Sequence, residues 1–272
     1  MTVMTSRACP WKCTFCHNNM GKGYRPRSAE NVVDELEALY RDVGIREIIF
    51  MDDMFNLHRE RVRDICRGIL SRGLDLKLTF PNGLRADIMD IETVKLLKEA
   101  GMYRCMYAIE TGSPRLQKRI KKNVKLEKAK AIIAETAKLG VLTHGAFMLG
   151  FPTETEEEMQ MTVDFACSTK LHTAAFYRVL PLPGSEIYSD VVSAGADVSG
   201  EIFDSPSQFE YHSSNVNLST VDERFLTKIR KKAYLRFYLN PLRLPRLLWH
   251  LPNKLVMIPK LAKLFFLRAV QK

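Results

Sequence analysis

From the N-terminus to about residue 192 the chain repeats one pattern, a short apolar run followed by a longer stretch with apolar residues three and four apart. The runs Thr2–Thr5, Glu47–Met51, Leu76–Phe80, Met102–Ile109, Thr143–Leu149 and Thr173–Leu180 predict strands. Spacings such as Val32, Val33, Leu36 and Leu39 predict helices between them. Ser28, with Glu30 in the following turn, suits the start of the first helix. Gly44, Gly73, Gly101 and Gly140 each fall where a helix should stop and a strand begin, the place of a left-handed C-cap glycine. Alternation of this kind argues for an α/β protein with a parallel sheet and covering helices. Right-handed crossovers would curl the six units into a partial (β/α)6 TIM-like barrel, with functional loops at the strand C-terminal ends.

Beyond this core, residues 1–192, the texture changes. Residues 193–219 read as an irregular connecting segment, and Gly195–Asn217, rich in Asp, Ser, Gly and Pro, as an excursion or lid. Residues 220–272 read as a basic, mostly helical C-terminal extension. A helix is expected over Arg224–Leu239, ended by Asn240-Pro241, and Pro245, Pro252 and Pro259 leave only short helices after it. Charge follows the same division. Of the net +10, residues 222–272 carry 13 Lys and Arg against two acids, so the body is close to neutral. No apolar stretch reaches the ~18 residues of a membrane span, and Met1–Arg7 lacks a signal-peptide core, so a cytoplasmic protein is expected. The run Leu261–Val270 carries two cations among apolar residues, which suits peripheral contact with the inner face of an anionic membrane. The alternatives are packing against the barrel or docking onto another domain.

The chemistry lies in the first loop, Ser6-Arg7-Ala8-Cys9-Pro10-Trp11-Lys12-Cys13-Thr14-Phe15-Cys16-His17. Three thiolates in C-x3-C-x2-C spacing after a strand can serve one metal centre. A zinc knuckle would need a fourth ligand, which His17 could supply. Cys66, Cys105 and Cys167 stand singly and read as small packed hydrophobes. The loop resembles the signature of the radical S-adenosylmethionine (radical SAM) superfamily, and further elements to about residue 190 extend the resemblance. Ile109-Glu110-Thr111-Gly112-Ser113 resembles that family's Glu-Ser/Thr-Gly-Ser element. Phe147-Met148-Leu149-Gly150-Phe151-Pro152-Thr153-Glu154-Thr155 resembles its Gly-Phe-Pro-Gly-Glu-Thr element, with Thr153 in place of a glycine. Leu180-Pro181-Leu182-Pro183-Gly184 matches its proline–glycine turn. Asp52-Asp53-Met54-Phe55 stands where many members carry Gly-Gly-Glu, and resembles the branch whose longer members have an N-terminal cobalamin-binding domain.

The resemblance implies a [4Fe-4S] cluster on Cys9, Cys13 and Cys16, with S-adenosylmethionine on the iron left open. It places Phe15, Asp52, Asp53, Glu110, Lys122, Met148 and Gly150 at the cofactor. Asp52 and Asp53 would take the methionine ammonium, although Asp53 or Asn56 could equally cap a helix. Glu110 would take the ribose hydroxyls or the methionine portion. Lys122 would pair with the methionine carboxylate, or stay solvated among its basic neighbours. Met148 and Gly150 would pass adenine along the main chain. Glu154 would equally suit the first turn of the next helix. Arg25, Arg27, Asn82 and Arg85 could bind substrate or bridge loops. The implied activity is reductive cleavage of the cofactor and hydrogen abstraction from a small molecule, with methylation of a lipid or pigment precursor as one outcome. Flavodoxin or ferredoxin would supply electrons. Cobalamin enters only if a domain outside this chain supplies it, since Asp-x-His-x-x-Gly is absent. Two alternatives stay open. One is an RNA-modifying enzyme of methylthiotransferase type, drawing on the basic tail with Tyr234, Phe237, Tyr238 and Trp249, though nucleic acid is a weaker fit. The other is an iron–sulfur electron carrier without enzymatic activity.

Overall fold

The computed structural model describes residues 1–17, 20–194, 217–250, 254–260 and 263. In chain order the elements are β1 (Thr2–Val3), β2 (Ser6–Arg7), β3 (Arg25–Pro26), α1 (Ala29–Arg41), β4 (Glu47–Phe50), α2 (Arg59–Ser71), β5 (Lys77–Leu84), α3 (Ile91–Glu99) and β6 (Met102–Glu110). There follow α4 (Pro114–Arg119), α5 (Leu126–Lys138), β7 (Leu142–Leu149), α6 (Glu156–Ser168), β8 (Thr173–Arg178), α7 (Glu186–Ser193), α8 (Glu223–Tyr238) and α9 (Leu244–His250). Six strands form one sheet in the order β1-β4-β5-β6-β7-β8, and β1/β4, β4/β5 and β5/β6 pair in parallel. The expected α/β alternation is therefore present. β2 and β3 make a separate antiparallel pair after the first strand.

Local chemistry explains most boundaries. Ser28 caps α1 by accepting from the Asn31 N–H, and Gly44, Gly73, Gly101 and Gly140 all have positive φ after their helices. Gly101 is the most constrained, because a Cβ there would lie 1.8 Å from the Leu76 carbonyl oxygen. The third strand runs on to Leu84, past the end expected at Phe80. Its pairing with β6 is irregular between Phe80 and Leu84, so Pro81 and Gly83 sit in a bulge where a missing N–H is tolerated.

The chain divides into two compact units. The first comprises residues 1–11, 18–108 and 124–144, and the second residues 12–17, 109–123 and 145–272. In the first, Phe50, Phe55 and Phe80 pack ring to ring with centroids 4.8–5.0 Å apart. In the second, Phe147 stacks on Phe176, and the ring edges of Tyr234 and Phe237 from α8 close over Phe176. β8 ends the sheet order, so one side of it lacks a strand partner. α8 supplies the missing partners: Ala174 N–H donates to Tyr238 Oη, which donates back to the Ala174 carbonyl, and Phe176 N–H donates to Tyr234 Oη. A helix covering a strand edge in this way blocks further strand addition.

The lid expected at Gly195–Asn217 falls, apart from Asn217, outside the described residues. So does Leu261–Val270, apart from Lys263.

Candidate functional site

In the first unit the chain leaves β1 through Thr5 and Ser6 toward Ala8 and Cys9. Asp52, 2% exposed, holds this exit. Its carboxylate accepts the Thr5 N–H, the Thr5 hydroxyl at 2.7 Å and the Ser6 hydroxyl at 2.5 Å. The ammonium ligand expected for Asp52 thus competes with three donors of the chain itself, because a buried strand end needs its amide satisfied. Asp53 beside it is exposed. Neither Asp53 nor Asn56 caps α2; the N-cap is His58, which makes no side-chain cap bond. Asn56 instead clasps the chain after β5, giving its amide N–H to the Arg85 carbonyl and accepting the Arg85 N–H. Ala8, next to Cys9, has φ +68°, a conformation uncommon for a residue with a Cβ.

Of the four polar residues expected near substrate, all are engaged by the protein. Arg85 forms a buried ion pair with Asp87 and lies 3.9 Å over the Trp11 ring of the cysteine loop. Arg27 pairs with Glu35, Arg25 donates to the Gly23 and Met20 carbonyls, and Asn82 donates to the Met51 carbonyl.

In the second unit the cysteine loop is fixed at Thr14. Its N–H donates to the Ile120 carbonyl at 3.1 Å and its carbonyl accepts the Ile187 N–H at 3.0 Å. Phe15 meets the edge of Phe151 at 5.6 Å and, with Met148, packs on the core of Leu116, Ile120, Phe151, Val179 and Ile187. Cys13 is half-buried and Cys16 exposed, and none of the six cysteines is in a disulfide. Among the described residues, no three His, Cys, Asp or Glu side chains are grouped to hold a single metal ion.

Glu110, at the end of β6, is buried and has φ +70°. Its carboxylate pairs with Lys122 Nζ at 3.0 Å, both side chains largely buried. Lys122 is therefore an ion-pair partner of Glu110 and not a solvated cation. Gly150 follows β7 with φ +97°. Glu154 is fully buried, and its Oε2 accepts the N–H groups of Gly150 at 2.6 Å and Phe151 at 2.9 Å. It is not in the first turn of α6, which starts after the Thr155 cap in a reciprocal capping box with Glu158. Arg178, at the end of β8, makes a two-pronged ion pair with Glu223.

A family model described as the Radical SAM superfamily matches residues 3–166. An uncharacterised methyltransferase of Pyrococcus horikoshii is 32% identical over 243 residues, 88% of this chain and 51% of that protein. The cytidylyl-2-hydroxyethylphosphonate methyltransferase of Streptomyces wedmorensis is 34% identical over 202 residues, 71% of this chain and 38% of that one. The radical S-adenosylmethionine methyltransferase TsrM from Kitasatospora setae, solved with cobalamin and a [4Fe-4S] cluster, matches with a TM-score of 0.65 at 23% identity, over 72% of this chain and 40% of that one. That likeness bears on the fold. The chain spans about half, or less, of the length of these proteins.

Burial pushes the Glu154 carboxyl up to about 8 from its ordinary 4.5, against the Phe151 and Gly150 N–H groups, which lower it. Oε1 has no partner among the described residues, so the neutral acid is the form that burial favours. The folded protein then keeps a proton that the unfolded chain releases above about pH 4.5, and the stability this contributes is lost as pH rises toward about 8. Glu154→Gln, uncharged throughout, should flatten the fall. Thermal midpoints of both proteins, measured from about pH 5 to about pH 8, check this.

Proposed function

Because the chain belongs to the radical SAM superfamily, we propose that it holds a [4Fe-4S] cluster on Cys9, Cys13 and Cys16 and uses it with S-adenosylmethionine to methylate or otherwise modify a small molecule. The observation that carries this reading is the cysteine loop, three disulfide-free thiols in C-x3-C-x2-C spacing on a segment anchored at Thr14. Thiolates are the donors such clusters take, and each would meet a different iron, so the three need not crowd around one point. When bound, cluster and cofactor together supply one-electron cleavage of the cofactor's C–S bond.

The residues of this chain would bind and orient. Glu110 would take the ribose hydroxyls or the methionine portion, and Lys122, already at its carboxylate, would turn to the methionine carboxylate. Main chain at Met148 and Gly150 would lie along adenine, where a glycine leaves room for a ring. Phe15 would wedge the loop into its core beside the cofactor. Asp53, exposed, is the carboxylate open to the ammonium, with Asp52 behind it holding Thr5 and Ser6. Methyl transfer is supported by the names of the relatives; cobalamin, if used, would come from outside residues 1–272. Electrons would come from a flavodoxin or ferredoxin. For the RNA-modifying alternative, Tyr234 and Tyr238 are spent on β8 and Phe237 is buried, whereas Trp249 is exposed. An electron carrier would leave the Glu110–Lys122 pair without a purpose.

Anaerobic reconstitution should yield about four irons per chain, and the reduced protein should release methionine and 5′-deoxyadenosine from the cofactor. Glu110→Ala should keep its iron and bind the cofactor about ten- to hundredfold more weakly, the loss of a charge-assisted hydrogen bond. Tightly bound zinc without iron would overturn the proposal.

The outer surface of α8 and α9 supports a further part of the reading, contact with an anionic membrane. The inner face of α8 is packed, whereas its other side carries an open groove of about 680 Å³ lined by Lys228, Lys231, Lys232 and Arg236, the last two engaged by Gln160 and Asp164. Leu242, Trp249 and Leu255 are 79–90% exposed. Amphipathic cationic surfaces of this kind suit an anionic headgroup layer, with about 1 kcal/mol from each cation near it. No helix among the described residues is long and apolar enough to cross a membrane. The protein should float with anionic but not neutral liposomes at low salt, and Trp249→Ser with Leu242→Ser should reduce this; equal recovery in the unbound fraction rejects the contact.

A further inference from the structure

We infer that Gln117 is the positioning residue for Glu110: its carboxamide holds the strained turn that aims the Glu110 carboxylate, so cofactor affinity depends on a side chain the cofactor does not touch. The inference rests on the proposed role of Glu110 at the cofactor.

The strain is local and visible. Thr111 N–H donates to the Ile109 carbonyl at 3.0 Å, closing a three-residue turn around Glu110 at φ +70°. A γ-turn with positive φ at its centre is the rarer, strained hand, and glutamate has none of glycine's freedom to adopt it. Such conformations persist only where the surroundings over-determine them.

Here Gln117 supplies the decisive contacts. It is 3% exposed on α4, and its Nε2 donates to the carbonyls of Ile109 and Thr111, each at 2.8 Å. One amide group thus grips the chain on both sides of Glu110. The far side of the turn is pinned as well. Gly112 N–H donates to Thr162 Oγ1 on α6, and a Cβ on Gly112 would lie 2.6 Å from the Met161 carbonyl oxygen, so no bulkier residue fits there. Ser113 caps α4 through the Leu116 N–H and gives its hydroxyl to Glu158 at 2.6 Å.

Gln117 also sets the other half of the pair. Its main-chain carbonyl accepts the Asn123 N–H at 2.9 Å, which turns the segment carrying Lys122 back toward β6. Both members of the Glu110–Lys122 pair are therefore located from this one residue. Gln117→Met would fill the space without donating, taking this donor from the Thr111 carbonyl, leaving the Ile109 carbonyl to the Thr111 N–H and freeing the turn to relax.

The test is a double-mutant cycle on the reconstituted holoprotein, with wild type, Gln117→Met, Glu110→Gly and the double variant, read by thermal unfolding. Glycine adopts the required φ unaided. Gln117→Met should therefore lower the midpoint more in wild type than when residue 110 is glycine, where only the loss of the two carbonyl contacts remains; equal losses in both backgrounds overturn the inference. If Gln117→Met fails to fold alone, recovery of folding by Glu110→Gly supports it and failure to recover overturns it. Equilibrium binding of S-adenosylmethionine supplies the second readout. Gln117→Met should bind it about tenfold more weakly or worse with its iron content intact, as Glu110→Ala does. Wild-type affinity in Gln117→Met beside weakened affinity in Glu110→Ala overturns the inference alone. Wild-type affinity in Glu110→Ala overturns the reading on which it rests.

Discussion

A parallel sheet leaves main-chain donors and acceptors without ladder partners at the ends of its strands, and the chain meets this with four buried polar side chains. Asp52 takes the Thr5 amide beyond β1, Asn56 clasps Arg85 beyond β5, Gln117 grips Ile109 and Thr111 at the end of β6, and Glu154 takes the amides of Gly150 and Phe151 beyond β7. Each is 3% exposed or less. An unsatisfied buried amide or carbonyl costs about 1–3 kcal/mol, so at each of these exits one side chain decides whether the loop can be both buried and fixed. Positive φ at Ala8, Glu110 and Gly150 is tolerated beside these clasps.

This constraint is what makes the loops usable. Ligand-binding residues at strand ends work only if the backbone beneath them does not drift, and side chains that clasp the main chain supply that rigidity without occupying the exposed side of the loop. Asp53 and Cys16 stay exposed and Glu110 pairs with Lys122, while their neighbours bind the chain. The second unit adds a different device at the sheet edge, where α8 brings Tyr234 and Tyr238 to the free side of β8.

The sequence disclosed the periodic features well. All six strands lie where apolar runs stand, and the glycines after helices have the conformation their position implies, because periodicity and turn chemistry are local. Membership in the superfamily was legible from the cysteine spacing and the strand-end elements. What local reading could not see were the partners of polar residues that are distant or off-pattern. Asp52 looked like half of a ligand-binding pair, yet its donors lie 46 and 47 residues earlier in the chain. Glu154 looked like a helix-start acid because three glutamates follow it, and Asn56 looked like a cap. Gln117 carried no signal at all, since a glutamine in a short helix between charged residues resembles any solvated position. The aromatic residues of the basic tail suggested a nucleic-acid surface, but the Tyr234 and Tyr238 hydroxyls serve β8 and Phe237 is buried.

The account stands on the claim that the cysteine loop carries a cluster with one iron open to S-adenosylmethionine. The most direct measurement is the electron paramagnetic resonance spectrum of the reconstituted, chemically reduced protein, recorded with and without the cofactor. The account predicts a reduced-cluster signal that shifts when S-adenosylmethionine is added and is absent when Cys9, Cys13 and Cys16 are replaced by alanine. A signal that persists in the triple variant, or one that saturating cofactor leaves unchanged, would contradict it.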